Sequence, residues 1–297
     1  MNNPFISIII PVYNDSQRLK KCLDALHDQT YPADRYEIIV VDNNSTEDIK
    51  SLVERYPKTI YTFEKEKRSY AARNKGLSIA QGEIIAFTDS DCIPCQDWLH
   101  EGSKPIIEGT ADLVGGKIAF IYSAEKSSAE FYDSIVNMQH KENIHRRKIG
   151  KTANLFVKKN VFDIIGLFPT CCSGGDVIWT KSATQQGIQI YYQKDATVKH
   201  PARKLIPLLK KSFRVGKGQP YIWLELKEPK RKFFTRTLLG LLPPSPRHIR
   251  KLTEERGTPD MSKKLLSIWG VAWLCRFATF SGRVITIVKN LSQIIRA

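Results

Sequence analysis

The chain has 297 residues, enough for one large hydrophobic core or for a core domain with a smaller appendage. Its 42% hydrophobic content is that of an ordinary globular protein and excludes a low-complexity chain. The first residues lack a basic segment ahead of the apolar run, so no secretory signal peptide is predicted. Six unevenly spaced cysteines favour a reducing compartment over a disulfide framework.

The net charge of +16 is confined to the last third of the chain. Residues 1–199 hold 25 basic and 25 acidic side chains, whereas residues 200–297 hold 21 basic and 5 acidic ones. A basic block of this kind usually faces an anionic surface such as a membrane, a nucleic acid or an acidic polymer. The alternative is a basic face that is merely solvated.

Strands and helices alternate through the first hundred residues. Apolar runs predict strands at 5–14, 36–45, 59–65 and 83–91, and helical spacing predicts helices at 15–29, 46–56 and 69–82. Asp15 or Ser16 is the expected N-cap of the first helix, and Gly82 is expected to stop the third. Strict alternation indicates a mostly parallel sheet covered by helices on both faces.

The later elements are less regular. Residues 112–122 predict a strand pair, or one strand with a kink at Gly115 and Gly116, and a helix is expected from Ser128 to about Asn143. A strand and a helix follow within 152–166, a helix with an acid at its start within 174–187, and a last strand within 188–200. Residues 238–251 predict a loop between C-terminal helices.

Polar side chains follow three predicted strands where each strand ends. Tyr13 and Asn14 follow the first strand, Asp42 closes the second, and Asp89 and Asp91 follow the fourth. In such sheets ligands bind beyond the carboxyl ends of the strands, so these side chains are expected at one binding edge. A lone Asp-x-Asp pair would instead indicate a turn or a helix cap.

Six segments in order resemble the inverting family 2 glycosyltransferases, which have the GT-A fold. The segments are SIIIPVYN (7–14), IIVVDNNSTED (38–48), SYAARNKGLSIAQGEIIAFTDSDCIP (69–94), TANLFVKKNVFDIIGLF (152–168), GGDVIWTKSATQQG (174–187) and ATVKHP (196–201). Together they cover most of residues 5–201. The resemblance implies a nucleotide-diphospho-sugar donor and a divalent metal, Mg²⁺ or Mn²⁺.

The resemblance also implies roles around the donor. Asp42 is expected to bind a uracil-type base, with Pro11, Tyr13 and Asn14 lining the same pocket. Arg73 and Asn74 suit the ribose and diphosphate, where an arginine fork can hold phosphate with two hydrogen bonds. As an alternative, Arg73 is a helix surface residue.

The metal ligands expected from the resemblance are Asp91, Asp89 and His200. Mg²⁺ and Mn²⁺ take oxygen ligands, often one or two carboxylates with substrate phosphates and water. Asp91 is the first choice, and Asp89 meets either the ribose or a metal-bound water. His200 follows the last strand, where a histidine is otherwise a surface or hydrogen-bonded residue.

Inverting transfer requires a general base on the acceptor hydroxyl, and Asp176 matches that position in the family. The family usually has two or three consecutive acids there, whereas this chain has Gly-Gly-Asp with Asp176 alone. A capping role for Asp176 at the helix that follows is compatible with this role.

Cysteine residues offer an alternative chemistry, redox or zinc binding, at the carboxyl edge of the sheet. Cys92 and Cys95 form a single C-x-x-C without a second pair at zinc spacing, and Cys171 and Cys172 are adjacent, which suits chelation poorly. Carboxylate chemistry is therefore the prediction.

In the basic last third, Arg214, Lys217 or Arg203 is expected to close over the diphosphate, although the chain lacks the family's Gln-x-x-Arg-Trp motif. Residues 265–290 are apolar for about the length of a membrane span but contain Arg276 and Arg283. The pattern fits an amphipathic helix on an anionic membrane surface, or equally a helix packed on the catalytic domain or in a homodimer.

The sequence thus predicts a catalytic domain at 1–200, with a donor half at about 1–100 and an acceptor half at about 101–200, and a basic, mainly helical region at 201–297. The predicted activity is metal-dependent inverting transfer from a UDP-sugar to a glycan or lipid-linked acceptor, at the inner face of the cell membrane, without nucleic acid. The alternatives are a sugar nucleotidyltransferase and a non-catalytic basic module that binds nucleic acid or membrane. A nucleotidyltransferase is expected to have a Gly-rich phosphate loop after the first strand, where this chain has PVYND. A non-catalytic module leaves the acids at the strand ends unexplained.

Overall fold

One eight-stranded sheet runs through the protein in the order β3-β2-β1-β4-β7-β6-β8-β5. The computed structural model describes residues 3–226 and 229–289. The strands are β1 (Ile6–Val12), β2 (Tyr36–Asp42), β3 (Thr59–Phe63), β4 (Ile84–Thr88), β5 (Ile93–Pro94), β6 (Leu113–Ile121), β7 (Asn154–Lys158) and β8 (Ile190–Pro201).

The first four strands are parallel, whereas β7 runs antiparallel to both of its neighbours, β4 and β6. Every residue of β1, β2 and β4 is buried, as the continuous Ile and Val runs predict for strands covered on both faces. Residues 112–122 form the single strand β6. Its Gly116 permits a close approach to β8, because a Cβ there would lie 2.1 Å from the carbonyl oxygen of Ala196.

The helices of the first two hundred residues mostly follow the predicted pattern. They are α1 (Ser16–His27), α2 (Ile49–Val53), α3 (Ser69–Leu77), α4 (Trp98–Ile107), α5 (Ser128–Val136), α6 (His140–Glu142), a π-helical turn (Asn143–Arg147), α7 (Val161–Ile165) and α8 (Gly175–Gln185). Helix α5 ends early because Asn137 is extended. Helix α3 also ends before Gly82, whose backbone packs too closely against Ser7 and Ile84 for a side chain.

Helix α3 lies against β1 and β2 through a glycine. Gly76 faces Ile9 and Val41, and a Cβ at this position would lie 2.6 Å from Ile9 Cγ2. The helix can therefore approach the sheet more closely than a side chain would allow. This approach fixes the position of Tyr70 and Arg73 on the same helix.

The chain divides into two compact units. The first comprises residues 1–119, 140–170 and 175–200, and the second comprises 120–139, 171–174 and 201–297. The second unit therefore includes α5, in addition to the region from 201 onwards. The C-terminal helices are α9 (Leu205–Glu225), α10 (Lys230–Leu238), α11 (Pro246–Arg256), α12 (Pro259–Ser262) and α13 (Leu265–Lys289).

Within the second unit, α9 and α13 pack tightly at two glycines. A Cβ on Gly216 would lie 2.1 Å from the Thr279 carbonyl oxygen, and one on Gly282 would lie 2.2 Å from that of Phe213. The predicted loop at 238–251 is shorter in the structure, because α11 already begins at Pro246. Asn290, the last residue of the predicted apolar segment, lies outside the described residues.

We expect Gly76→Ala to lower the free energy of unfolding by ~1–3 kcal/mol, because the added methyl group overpacks the contact with Ile9. Gly270 in α13 is the matched control, since nothing lies within 4 Å of a Cβ there. Gly270→Ala should raise stability by up to ~1 kcal/mol, as alanine is the better helix former. Denaturant unfolding of both variants tests this, and equal stabilisation by the two would contradict the close packing of α3.

Candidate functional site

Asp42 lies buried at the carboxyl end of β2 with both carboxylate oxygens in use. Oδ1 accepts the backbone N–H of Ser45 at 2.9 Å, and Oδ2 accepts the hydroxyl of Tyr61 at 3.1 Å. Burial, together with Asp42, raises the pKa of Tyr61 to about 12, so this phenol stays a donor. The hydrogen bonds fix the direction of the carboxylate.

The residues that follow β1 hold the loop that follows β2. Asn14 has a left-handed backbone with φ 49°, and its Oδ1 accepts the N–H of Thr46 at 2.7 Å. Tyr13 is half exposed, and Lys67 Nζ lies 5.2 Å from the centre of its ring. Pro11 is buried within β1, paired in register with Val41. The predicted pocket residues therefore share the carboxyl edge of β1 and β2.

Asp89 is held by a buried arginine from α3. Arg73 is only 4% exposed and donates from Nη2 to Asp89 Oδ1 and from Nη1 to the Ser69 carbonyl at 3.2 Å. Arg73 is thus not a helix surface residue. A guanidinium buried to this extent requires a carboxylate partner, so the pair positions Asp89.

Asp15 is a site residue that the sequence reading placed only as a helix cap. Its side chain makes no capping hydrogen bond to α1. Its Oδ2 instead accepts the hydroxyl of Ser90 at 3.2 Å, and its Oδ1 pairs with Arg18 Nε at 2.7 Å. Arg18 also reaches within 3.9 Å of Asp91 Oδ2. Burial raises the pKa of Asp15.

Asp91 and His200 meet across the site. His200 is fully buried at the end of β8, and its Nε2 lies 3.5 Å from Asp91 Oδ2. Within residues 3–226 and 229–289, no three His, Cys, Asp or Glu side chains cluster closely enough to hold a metal ion. Asp89, which the sequence predicts at the metal, at the ribose or at a metal-bound water, is paired with Arg73. Two protein ligands still fit a metal whose other ligands are diphosphate oxygens and water.

Asp176 lies in the first turn of α8, one residue after the helix begins. Its Oδ1 accepts the hydroxyl of Tyr70 at 2.9 Å and the backbone N–H of Val177 at 2.9 Å, and its Oδ2 lies 3.9 Å from Lys151 Nζ. Gly175 leaves room for this arrangement, because a Cβ there would lie 2.8 Å from the Tyr70 ring. Oδ2 is the oxygen left for an incoming proton.

Tyr70 connects the two carboxylate sites. The guanidinium of Arg73 lies 5.4 Å from the centre of the Tyr70 ring, one turn along α3. Asp176, Tyr70, Arg73 and Asp89 therefore form one contiguous set of contacts. Burial, and Asp176 beside it, raise the pKa of Tyr70 far above its ordinary value, so the phenol remains a proton donor to the carboxylate.

Two further side chains support this set. Asn74 binds the backbone of Phe168 with both halves of its amide, at 2.8 and 3.1 Å, and so holds the loop before α8. His140 accepts the backbone N–H of Lys151 at 2.7 Å, and burial lowers its pKa to about 4. A neutral His140 therefore anchors the segment that carries Lys151.

The cysteine chemistry considered from the sequence has no support at this edge. Cys92 is buried, and burial together with Asp91 and Asp89 raises its pKa well above the usual thiol value. Cys22 is buried beside the same carboxylates. Such thiols are poor nucleophiles and poor metal ligands.

The predicted diphosphate clamp, Arg214, lies exposed on α9 in the second unit. Arg203, another candidate, pairs with Asp133 Oδ2 at 3.4 Å within that unit, as does Lys211 with Oδ1 at 3.4 Å. A role for Arg214 or Lys217 at the donor stays a prediction.

Comparisons with known proteins identify the family. Residues 7–170 match the family model "Glycosyl transferase family 2". Glycosyltransferase AglE of Haloferax volcanii is 41% identical over 299 residues, covering 98% of each chain.

Two solved structures share the fold. One is the mannosyltransferase PcManGT from Pyrobaculum calidifontis in complex with GDP-Man and Mn²⁺, with a TM-score of 0.67 and 19% identity over 97% of this chain and 88% of that one. The other is S. aureus TarS 1–349, with a TM-score of 0.57 and 18% identity over 97% and 91%. These likenesses confirm the GT-A fold. The chain belongs to glycosyltransferase family 2.

Proposed function

We propose that this enzyme transfers a sugar, with inversion, from a nucleotide-diphospho-sugar to a hydroxyl group of a glycan or lipid-linked acceptor. The observation that carries the proposal is the contact set Asp176–Tyr70–Arg73–Asp89. In this set Tyr70 and Arg73 of α3 hold two acids. Asp176 is suited to a general base, and Asp89 lies at the edge of the sheet where we propose that the donor binds. Family membership supports this reaction over the nucleotidyltransferase and the non-catalytic module.

In this proposal Asp176 removes the acceptor proton as the hydroxyl attacks the sugar from the face opposite the diphosphate. Tyr70 and the Val177 N–H occupy Oδ1, which leaves Oδ2 directed at the acceptor. Lys151 Nζ lies 3.9 Å from Oδ2 and brings a positive charge to the side of this oxygen. A single acid at this position is sufficient for the base role.

Asp91 and His200 would hold a divalent metal, with Asp89 at the ribose or a metal-bound water. When bound, the metal neutralises charge that develops on the leaving diphosphate. Carboxylates suit Mg²⁺ and Mn²⁺, while imidazole suits transition metals, so the mixed pair favours Mn²⁺. The Mn²⁺ and GDP-Man in the PcManGT complex are consistent with this class of donor and metal.

A uridine base at Asp42 remains the prediction for the donor. The GDP-Man complex makes a guanosine donor the main competitor. Because both Asp42 oxygens already accept hydrogen bonds, a base must either share one of them or replace the Ser45 or Tyr61 contact. Binding measurements must therefore include both nucleotides.

For the second unit we propose contact with the anionic inner face of the cell membrane. Among the described residues, the helix Leu265–Lys289 is long and apolar enough to cross a membrane, and most of its apolar part is not buried. Exposed apolar side chains lie on this helix, at the end of α10 and in the loop that follows α10. Trp273 of α13 contacts that loop by donating to the Leu241 carbonyl at 3.3 Å. The exposed apolar side chains include Leu238, Leu241, Leu242, Leu266, Leu274 and Phe277. An exposed apolar patch beside basic residues is typical of a membrane surface.

Calorimetry of UDP, GDP and their common sugar conjugates tests the donor and the metal. One nucleotide should bind in Mn²⁺ and lose affinity in EDTA. Asp91→Asn should weaken the Mn²⁺-dependent binding by at least about tenfold, because even outer-sphere changes cost this much in metal affinity. The matched control is Asp163→Asn, an exposed acid on α7. Equal binding with and without metal would remove the metal from the proposal.

Asp176→Asn should lower kcat by roughly 10²–10⁴-fold, the usual contribution of a general base. The change preserves the shape and the Tyr70 contact, so nucleotide binding should be unaffected. Single-turnover kinetics with a hydroxyl acceptor, beside nucleotide calorimetry, separates the two effects. A variant with full kcat would assign the base role to another residue.

Phe277→Asp, on the exposed face of α13, should weaken co-flotation with anionic lipid vesicles by about tenfold or more, since it places a charge where apolar area inserts. Leu167→Asp is the control, because Leu167 is equally exposed but lies in the first unit. If wild-type protein does not float and Phe277→Asp instead shifts a dimer to monomer in sedimentation, the face is a dimer interface.

A further inference from the structure

The second unit contains a cavity of about 450 Å³ bounded by α5, α9, α10, α11 and α13. This volume lies within the range of small-molecule sites in proteins. The lining residues that the structure describes all belong to the second unit.

The polar side of this cavity is lined by basic side chains. Lys211 projects from α9, Arg276 and Arg283 from α13, Arg236 from α10, and His248 from α11. Arg276 and Arg283 are two turns apart and therefore share one face of α13. Among the described residues that line the cavity, none is acidic.

Among Lys211, Arg276 and Arg283, the contacts of the described residues bring one carboxylate to three cations. Lys211 is 12% exposed and pairs with Asp133, but Asp133 also serves Arg203. Arg283 donates to neutral acceptors, Gln219 Oε1 at 2.5 Å and the Arg236 carbonyl at 2.7 Å. The guanidinium of Arg276 has no hydrogen bond or ion pair with any residue in the described ranges 3–226 and 229–289.

Burying these cations close to one another disfavours their charged forms. Burial lowers the pKa of Lys211 to about 8, and the neighbouring Arg203 acts in the same direction. Burial lowers the pKa of Arg283 to about 10, and Arg276 and Arg236 add to the effect. A bound anion would relieve this repulsion.

The remaining walls of the cavity are mainly apolar, apart from Asn137, Ser212 and Thr279. Tyr132 and Val136 come from α5, Val215 from α9, Leu239 from the end of α10, and Leu252 from α11. A site for inorganic phosphate alone would not need such walls. The combination of clustered cations and apolar side chains matches an amphiphile with an anionic head.

We propose that this cavity binds the phosphate headgroup of a membrane lipid, with the first part of the lipid chain against the apolar walls. Arginine and lysine clusters recognise phosphate, and the guanidinium fork can hold two of its oxygens at once. Helix α13, which lines the cavity, also carries exposed apolar side chains that can meet hydrocarbon. This site is separate from the donor site and requires no sugar transfer to be detected.

Calorimetry on the full-length protein, without nucleotide or metal, tests the proposal with octyl phosphate below its micelle concentration. Octyl phosphate should bind, while octyl glucoside and inorganic phosphate should each bind at least about tenfold more weakly. Arg276→Gln should weaken octyl phosphate binding by about tenfold or more, and Arg276→Lys should restore part of it.

The matched control is Arg250→Gln, which removes an exposed arginine of the same unit that does not line this cavity. Thermal unfolding shows that each variant is folded. Equal binding of inorganic and octyl phosphate would make this a site for free phosphate, and equal binding of octyl glucoside would make it a plain apolar pocket. Either result, or no binding by folded wild-type protein, overturns the proposal. None of these outcomes bears on donor binding in the first unit.

Discussion

The ion pair between Arg73 and Asp89 is the interaction on which the rest of the catalytic unit depends. A guanidinium with 4% exposure is tolerable only beside a carboxylate, so helix α3 and the end of β4 must stay together. The same helix directs Tyr70 towards Asp176, one turn away from Arg73. Gly76 completes the arrangement by letting α3 lie directly on β1 and β2. The donor edge and the candidate base are therefore positioned by one rigid element, and a shift of α3 would disturb both.

Much of the sheet could be predicted from the sequence because its strands are unbroken runs of Ile and Val. Such runs are typical of strands buried on both faces, and β1, β2 and β4 are buried throughout. The antiparallel β7 could not be predicted, since a short buried strand has the same pattern in either direction. Helix α4 was missed because Pro105 lies inside it and interrupts the helical signal. The two-residue strand β5 has no sequence period at all.

Some residues of the candidate site could be predicted from the sequence, and others could not. Asp42, Asp89, Asp91, Asp176 and His200 lie at or just beyond strand ends and at a helix start, where local pattern and family resemblance both indicate function. Tyr70, Lys151 and Asp15 gave no such signal, because their roles depend on partners far away in the sequence; Tyr70 and Asp176 are 106 residues apart. The one usable hint is the spacing of Tyr70 and Arg73, which places both on one face of a short helix. Long-range pairing of this kind is a property of the fold.

The structure shows that part of the excess positive charge of the last third is not a solvated basic face. A merely solvated basic face would leave its cations in water, where repulsion is weak and screened. Here Lys211 and Arg283 are largely withdrawn from water, while Leu266 and Phe277 face outward. Most cations of this unit remain exposed, but these two turned inward beside apolar side chains turned outward depart from the usual arrangement of a soluble helical unit. The lipid partner that we propose would bring negative charge to these cations and hydrocarbon to the exposed apolar side chains.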